Sequence, residues 1–283
     1  MTTAAVPAVP AVPAAPARAR AVPPAPRRPG LPGTLHSELT KILSVRSTYW
    51  TLLAQAVASI GWAVLFCAGT VAHGAGQDFN AAQASLAGQV ALGELINVVL
   101  GALVITSEYS TGMIRTSLAV MPRRGVLYAA KAIVFAAVTF TVSLVASFAD
   151  FFVGQAILAS KHLNTTLTQP DVLRAVLLSA AIVTVFGLLA YGTGALIRHT
   201  AGAITSLIGV IFLIPLLAQA LPTPWFQALQ RWLPGGGALS PIASSAPPHS
   251  PYLFSAWGEF AVFCGYAVIL LALGAWSFLR RDA

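Results

Sequence analysis

Charge is scarce in this chain. Asp and Glu number only eight, and the four charged types together make up 8% of 283 residues. A soluble domain carries roughly a quarter. Hydrophobic residues reach 57% and the mean hydropathy is +0.79, so a water-soluble fold of this length could not hide its apolar surface. A soluble domain is excluded, and a polytopic membrane protein remains. Cysteine is nearly absent too. Cys67 and Cys264 both fall inside apolar runs and read as small apolar fillers, not as a disulfide or a metal pair. No His/Cys/Asp cluster has metal-ligand spacing. No Gly-Lys pair occurs anywhere, which excludes a P-loop. HExxH, GxSxG and paired carboxylates on one short helix face are also missing. No catalytic residue, metal or cofactor is expected, and the chain does not read as an enzyme. Any energy from nucleotide has to come from a partner.

The charges that exist are mostly positive, with sixteen Lys and Arg, a net charge of +8 and a pI near 10.1. In a soluble protein that balance would point to nucleic acid. Here the basic residues gather at the ends of apolar runs, the pattern of membrane topology and anionic-lipid contact. The bilayer is an expected partner and nucleic acid is not.

Residues 1–33 form an Ala/Val/Pro tract in which proline recurs every few residues, so a disordered cytoplasmic tail is expected. From Thr34 to Thr48 the pattern changes. Leu35, Leu39, Ile42 and Leu43 recur at helical spacing, interrupted by His36, Glu38, Lys41 and Arg46. That predicts an amphipathic interfacial helix before the first span, or simply the cytoplasmic start of that span. Six runs of membrane length follow, at about 49–71, 86–106, 132–158, 172–197, 203–221 and 257–279. Trp225, Phe226, Leu229 and Trp232 predict a further interfacial helix before the last one. With both termini inside, thirteen basic residues fall in the cytoplasm and three outside. The expected fold is therefore all-α, with six transmembrane helices and cytoplasmic N- and C-termini, the permease domain covering 34–283.

Within the spans, Glu94, Asn97 and Asp150 are candidates for a translocation path, because a carboxylate at the bilayer centre costs about 2.5–3.5 kcal/mol. Asp150 could pair with Arg174 near the outer face. Structural hydrogen bonding or snorkelling would explain the same residues. Gly187, Ala190 and Gly194 make a small face suited to close packing of helices within the chain.

The segment SEYSTGMIRTSLAVMPRRGVLYAAK, residues 107–131, is the polar stretch between the second and third spans and carries Arg115, Arg123, Arg124 and Lys131. Glu108 to Ala119 is expected to be helical. Tyr109, Met113 and Thr116 share one face; Ile114, Leu118 and Met121 share another. Gly112 costs about 1 kcal/mol inside a helix. Exposed Tyr and Met suit insertion into a partner's groove. On the residues alone, an ordinary positive-inside loop fits equally well.

HSELTKILSVRSTYWTLL, ITSEYSTGMIRTSLAVMPRRGVLYAAK and YGTGALIRHTAGAI resemble the permease subunits of ATP-binding cassette transporters of the type-2 exporter class. The E-Y-x-x-G-x-I-R run followed by P-R-R is the most specific part. The resemblance extends from about Leu35 to the C-terminus. It implies that Glu108, Tyr109, Gly112, Met113, Ile114 and Arg115 form the coupling helix that grips a cytoplasmic ATPase subunit. It also implies a second permease subunit, identical or not, and export across the plasma membrane. Two other readings stay open: an ion-coupled secondary transporter using Glu94 and Asp150, and a non-transporting anchor or regulator that binds its partner through 107–131.

Overall fold

The computed structural model of the chain describes residues 30–76, 79–120, 123–213, 216–217 and 256–280, and all regular structure among them is helical. Helix α1, Leu31–Ser44, opens with Pro32 in its first turn, where the missing N–H is not needed. It thus starts three residues before the expected Thr34. Val45 is extended and breaks the chain before α2, Arg46–His73. A short helix α3, Ala81–Ser85, leads through a π-helical turn, Gln89–Gly93, into α4, Glu94–Ser110. Helix α5 is Met113–Val120 and α6 is Arg124–Leu158, extended by a 3₁₀ turn to Lys161. Then come α7, Val172–Ile197; α8, Thr200–Ile208, continued by a π turn Gly209–Leu213; and α9, Ala256–Arg280.

Five stretches are long and apolar enough to cross a membrane: α2, Gln89–Ser110, Arg124–Lys161, α7 and Trp257–Arg280. They coincide with five of the six expected spans. At the remaining one, about 203–221, the apolar helix runs only Thr200–Ile211, and residues 214–215 and 218–221 lie outside the described residues. The Pro-rich tract before Gly30 and the interfacial helix expected at Trp225–Trp232 also lie outside them.

Helix α7 is the most deeply buried span and packs on α4, α6, α8 and α9, while α2 is the least buried. Small residues make this possible. A Cβ on Gly101 of α4 would stand 2.1 Å from the carbonyl oxygen of Gly187 on α7, so the two backbones touch. Gly192 of α7 meets the backbone of Leu270 on α9 in the same way, at 2.7 Å. Gly187 and Gly194 both face α4, which makes the small stripe an intramolecular packing face. Around these contacts Phe186, Leu189, Val98 and Phe263 form the main apolar core.

Helix α1 differs from its sequence pattern. Its buried residues are Thr34, Glu38 and Ile42, whereas Leu39 and Leu43 are exposed. Only the Leu39 and Leu43 side of the apolar stripe faces outward; Ile42 turns inward, and Glu38, which interrupts the stripe, faces α6. The reason lies in what α6 presents there.

Candidate functional site: the α4–α5 elbow and its buried ion pairs

The expected continuous helix from Glu108 to Ala119 does not form. Helix α4 ends at Ser110, and Gly112 adopts φ +70 before α5 starts afresh at Met113. Glycine reaches that left-handed conformation without the Cβ clash that other residues suffer. The last turn of α4 closes through Thr111 N–H to Ser107 O at 3.0 Å and Gly112 N–H to Tyr109 O at 3.3 Å. The elbow separates the candidate residues into two sets. Glu108 and Tyr109 belong to the end of α4 and turn inward. Gly112 and Met113 are exposed on the outside of the elbow, and Ile114 is buried beneath α5. The side chain of Arg115 lies outside the described residues.

Tyr109 is therefore not a free docking side chain. Its ring meets Phe278 of α9 edge-on, with centroids 6.5 Å apart, and the Arg198 guanidinium sits 4.9 Å above it. Arg198, in the left-handed C-cap of α7, also donates through Nη2 to Ser277 O at 3.2 Å. Tyr128 and Tyr191 continue this clamp. Tyr191 donates to the Tyr128 carbonyl at 3.0 Å, and Tyr128 to that of Leu271 at 3.1 Å. The ends of α4, α6, α7 and α9 are thus held together directly behind the elbow.

Glu108 sits in a knot of charge. Lys131 Nζ, on α6, donates to Glu38 Oε2 on α1 at 2.6 Å and to Glu108 Oε1 at 3.0 Å. Lys41, also on α1, donates to the same Glu108 oxygen. Glu38, Glu108 and Lys131 are buried; Lys41 is partly open. Two carboxylates face two ammoniums, so the knot is neutral. Sequence reasoning placed Lys131 among the topology charges and Glu38 as an interruption. Their partners lie 93 and 23 positions away, so no local spacing announces the pairing. Beside the knot, α1, α2, α4, Lys131 of α6 and the start of α5 line a half-open cavity of about 300 Å³.

The membrane-depth candidates form two separate polar groups. Glu94 and Asn97, on α4, are buried, and Asn97 Nδ2 donates to Val183 O on α7 at 2.7 Å. Asp150 is fully buried on α6 and accepts from Ser59 Oγ of α2 at 3.3 Å. The expected pair of Asp150 with Arg174 does not form. Arg174 lies at the start of α7 and pairs with Asp171, three residues back, at 3.1 Å, whereas Asp150 faces α2.

Three further residues surround Asp150 that sequence reasoning missed. Gln89 Nε2, in the π turn, lies 3.5 Å from Ser59 Oγ and from Ser143 O, and Gln55 Nε2 donates to Ser143 Oγ at 2.8 Å. A signal for them exists. Gln55 and Ser59 stand at i, i+4 on one span, and Ser143, Ser147 and Asp150 at i, i+4, i+7 on another, so each span carries a polar stripe.

A family model described as ABC-2 family transporter protein matches residues 76–283, which takes in everything from α3 to the last described helix. The chain belongs to that family. An ABC-2 family permease is the membrane component of an ATP-binding cassette transporter, and its family implies an ATPase subunit as partner. The five long apolar helices agree with a multi-pass membrane protein. In this ABC-2 protein the matched region includes the elbow, α5, Glu94, Asn97 and Asp150, while α1 and α2, with Gln55 and Ser59, precede it. No curated protein matches the chain.

Proposed function

We propose that this ABC-2 protein is the membrane subunit of an ATP-driven exporter in the plasma membrane, working as a pair with a second permease subunit. Six spans with both termini in the cytoplasm put the α4–α5 elbow on the cytoplasmic side, as the thirteen-to-three distribution of basic residues favours. Helix α5 is the handle gripped by the ATPase. The observation that carries this reading is its separation from α4: an eight-residue helix that starts afresh after Gly112, between two spans, with Met113 44% exposed at its tip. Gly112, Met113 and Arg115 are the contact residues. Ile114 seats α5 on the core, and Glu108 and Tyr109 anchor its root.

Force applied to α5 reaches α4 across the elbow and α6 through the chain that follows it. The knot of Glu38, Lys41, Glu108 and Lys131 ties both helices to α1, so the three would move as one body. The polar groups around Glu94, Asn97 and Asp150 line the path that this motion opens; irregular helix at membrane depth, such as the π turn beside Glu94, is tolerated where it borders such a cavity. The test is co-purification of the ATPase partner with the full-length chain. Met113→Glu and Gly112→Trp abolish the complex while membrane insertion persists. A complex that survives both substitutions assigns the contact elsewhere.

A further inference from the structure

The turn between α7 and α8, residues 197–200, lies against the root of the elbow. We propose that it forms the second half of the ATPase seat, so that the partner subunit rests on α5 and on this turn together. The inference rests on the reading of α5 as the handle and extends the contact to a distant part of the chain.

Geometry fixes the two surfaces to one another. Arg198 closes α7 with φ +58, a left-handed value that is costly for a residue with a Cβ. Its surroundings hold it there. The backbone N–H donates to Gly194 O at 2.8 Å, and the guanidinium reaches Ser277 O and the face of Tyr109. Two residues on, Thr200 Oγ1 donates to Thr106 Oγ1 of α4 at 2.7 Å. The turn is thereby bound to the end of α4 from which the elbow departs, and it lies on the elbow's side of the bilayer. A partner resting on both would move α7, the most deeply buried span, along with α4.

Area argues for a second contact. The eight residues of α5 measure about 12 Å along the helix, whereas a stable complex covers about 800 Å² on each partner. Helix α5 cannot supply that alone, so the ATPase has to cover neighbouring surface on the same side. On one flank of the elbow, α1 turns Leu39 and Leu43 outward, as an interfacial helix does toward lipid. On the other, the α7–α8 turn presents a mixed tip. Ile197 is 43% exposed, and His199 and Ala201 are exposed beside it. His199 Nδ1 accepts from Gly202 N–H at 3.2 Å and so caps α8. The ring proton therefore sits on Nε2, a donor for the partner. The partner surface that fits is apolar opposite Met113 and Ile197, with a carboxylate or carbonyl opposite His199.

The test uses the full-length chain in nanodiscs with the ATPase that co-purifies with it. Ile197→Glu places an unpaired charge in the contact and should weaken binding roughly tenfold or more at an unchanged melting temperature. Ala201→Trp blocks the same tip sterically and guards against a folding defect in Ile197→Glu. A photo-crosslinker at position 199 should join the ATPase, identified in the product by mass spectrometry. Lys161→Glu, exposed at the opposite end of α6, should bind as the unmodified chain does. Normal affinity in both turn variants, with no cross-link from position 199, overturns the proposal. If Met113→Glu still abolishes the complex in that case, the α5 reading stands alone. Loss of binding in the turn variants beside normal binding in Met113→Glu moves the contact off α5 and overturns the two-part seat.

Discussion

Lys131 of α6 reaches Glu38 of α1 at 2.6 Å, and both are buried. This contact joins the amphipathic helix to the span that leaves the elbow. Buried ion pairs stabilise little against an apolar substitute, but losing one partner strands the other. Lys131→Met strips Glu38 of its ammonium and leaves Glu108 with only the partly exposed Lys41. We expect it to lower stability by about 3–5 kcal/mol. Glu38→Gln in the same chain should recover part of that loss. A double-mutant cycle by thermal unfolding in detergent measures the coupling, and additive effects would mean that the pair contributes nothing.

Gly112 carries the elbow by its positive φ and not by crowding, since a Cβ there would meet nothing within 4 Å. Gly112→Ala therefore costs only backbone strain, about 1–2 kcal/mol. Gly112→Asn, which tolerates the left-handed region, should lose less. Melting temperatures of the two variants rank them, and the reverse order would show that the elbow does not persist in the membrane.

Gly101 tests the α4–α7 contact. Its Cβ would fall 2.1 Å from a backbone oxygen that has no room to retreat. Gly101→Ala should push the helices apart and cost about 1–3 kcal/mol or more. Gly69→Ala on α2, where a Cβ meets nothing within 4 Å, should be neutral or stabilising. Expression level and unfolding temperature of the pair separate crowding from a general intolerance of alanine.

Asp150 sits with Ser59 and Gln89 in a dry setting. Asp150→Asn keeps an acceptor for Ser59 and should change stability by less than about 1 kcal/mol. Asp150→Leu leaves those donors unpaired and should cost about 1–3 kcal/mol. If leucine is tolerated as well as asparagine in an unfolding assay, the hydrogen-bonded cluster is not what holds Asp150 in place.

Much of the architecture was legible in the residues. Five of the six apolar runs lie within long helices, the third of which starts at Arg124 instead of near Ala132, because crossing hydrocarbon demands length and apolarity that composition displays directly. The E-Y-x-x-G-x-I-R run drew attention to residues 107–131, and the family match agrees with that resemblance. The site was legible only in part. Gly112 is costly inside a helix, and in the structure it stands just past the end of α4 with φ +70. Tyr109 was expected to be exposed, yet Arg198 and Phe278 cover it.

Membrane character, the positions of long apolar helices and the excess of positive charge at their ends follow from residue chemistry along the chain. The partners of Glu38, Glu108, Lys131 and Asp150 do not. Each is set by which helices pack together, and that packing depends on close backbone contacts such as Gly101 against Gly187. An ion pair 93 positions apart leaves no trace in local spacing. Only folding shows that a charge interrupting an apolar stripe is the end of a buried bond.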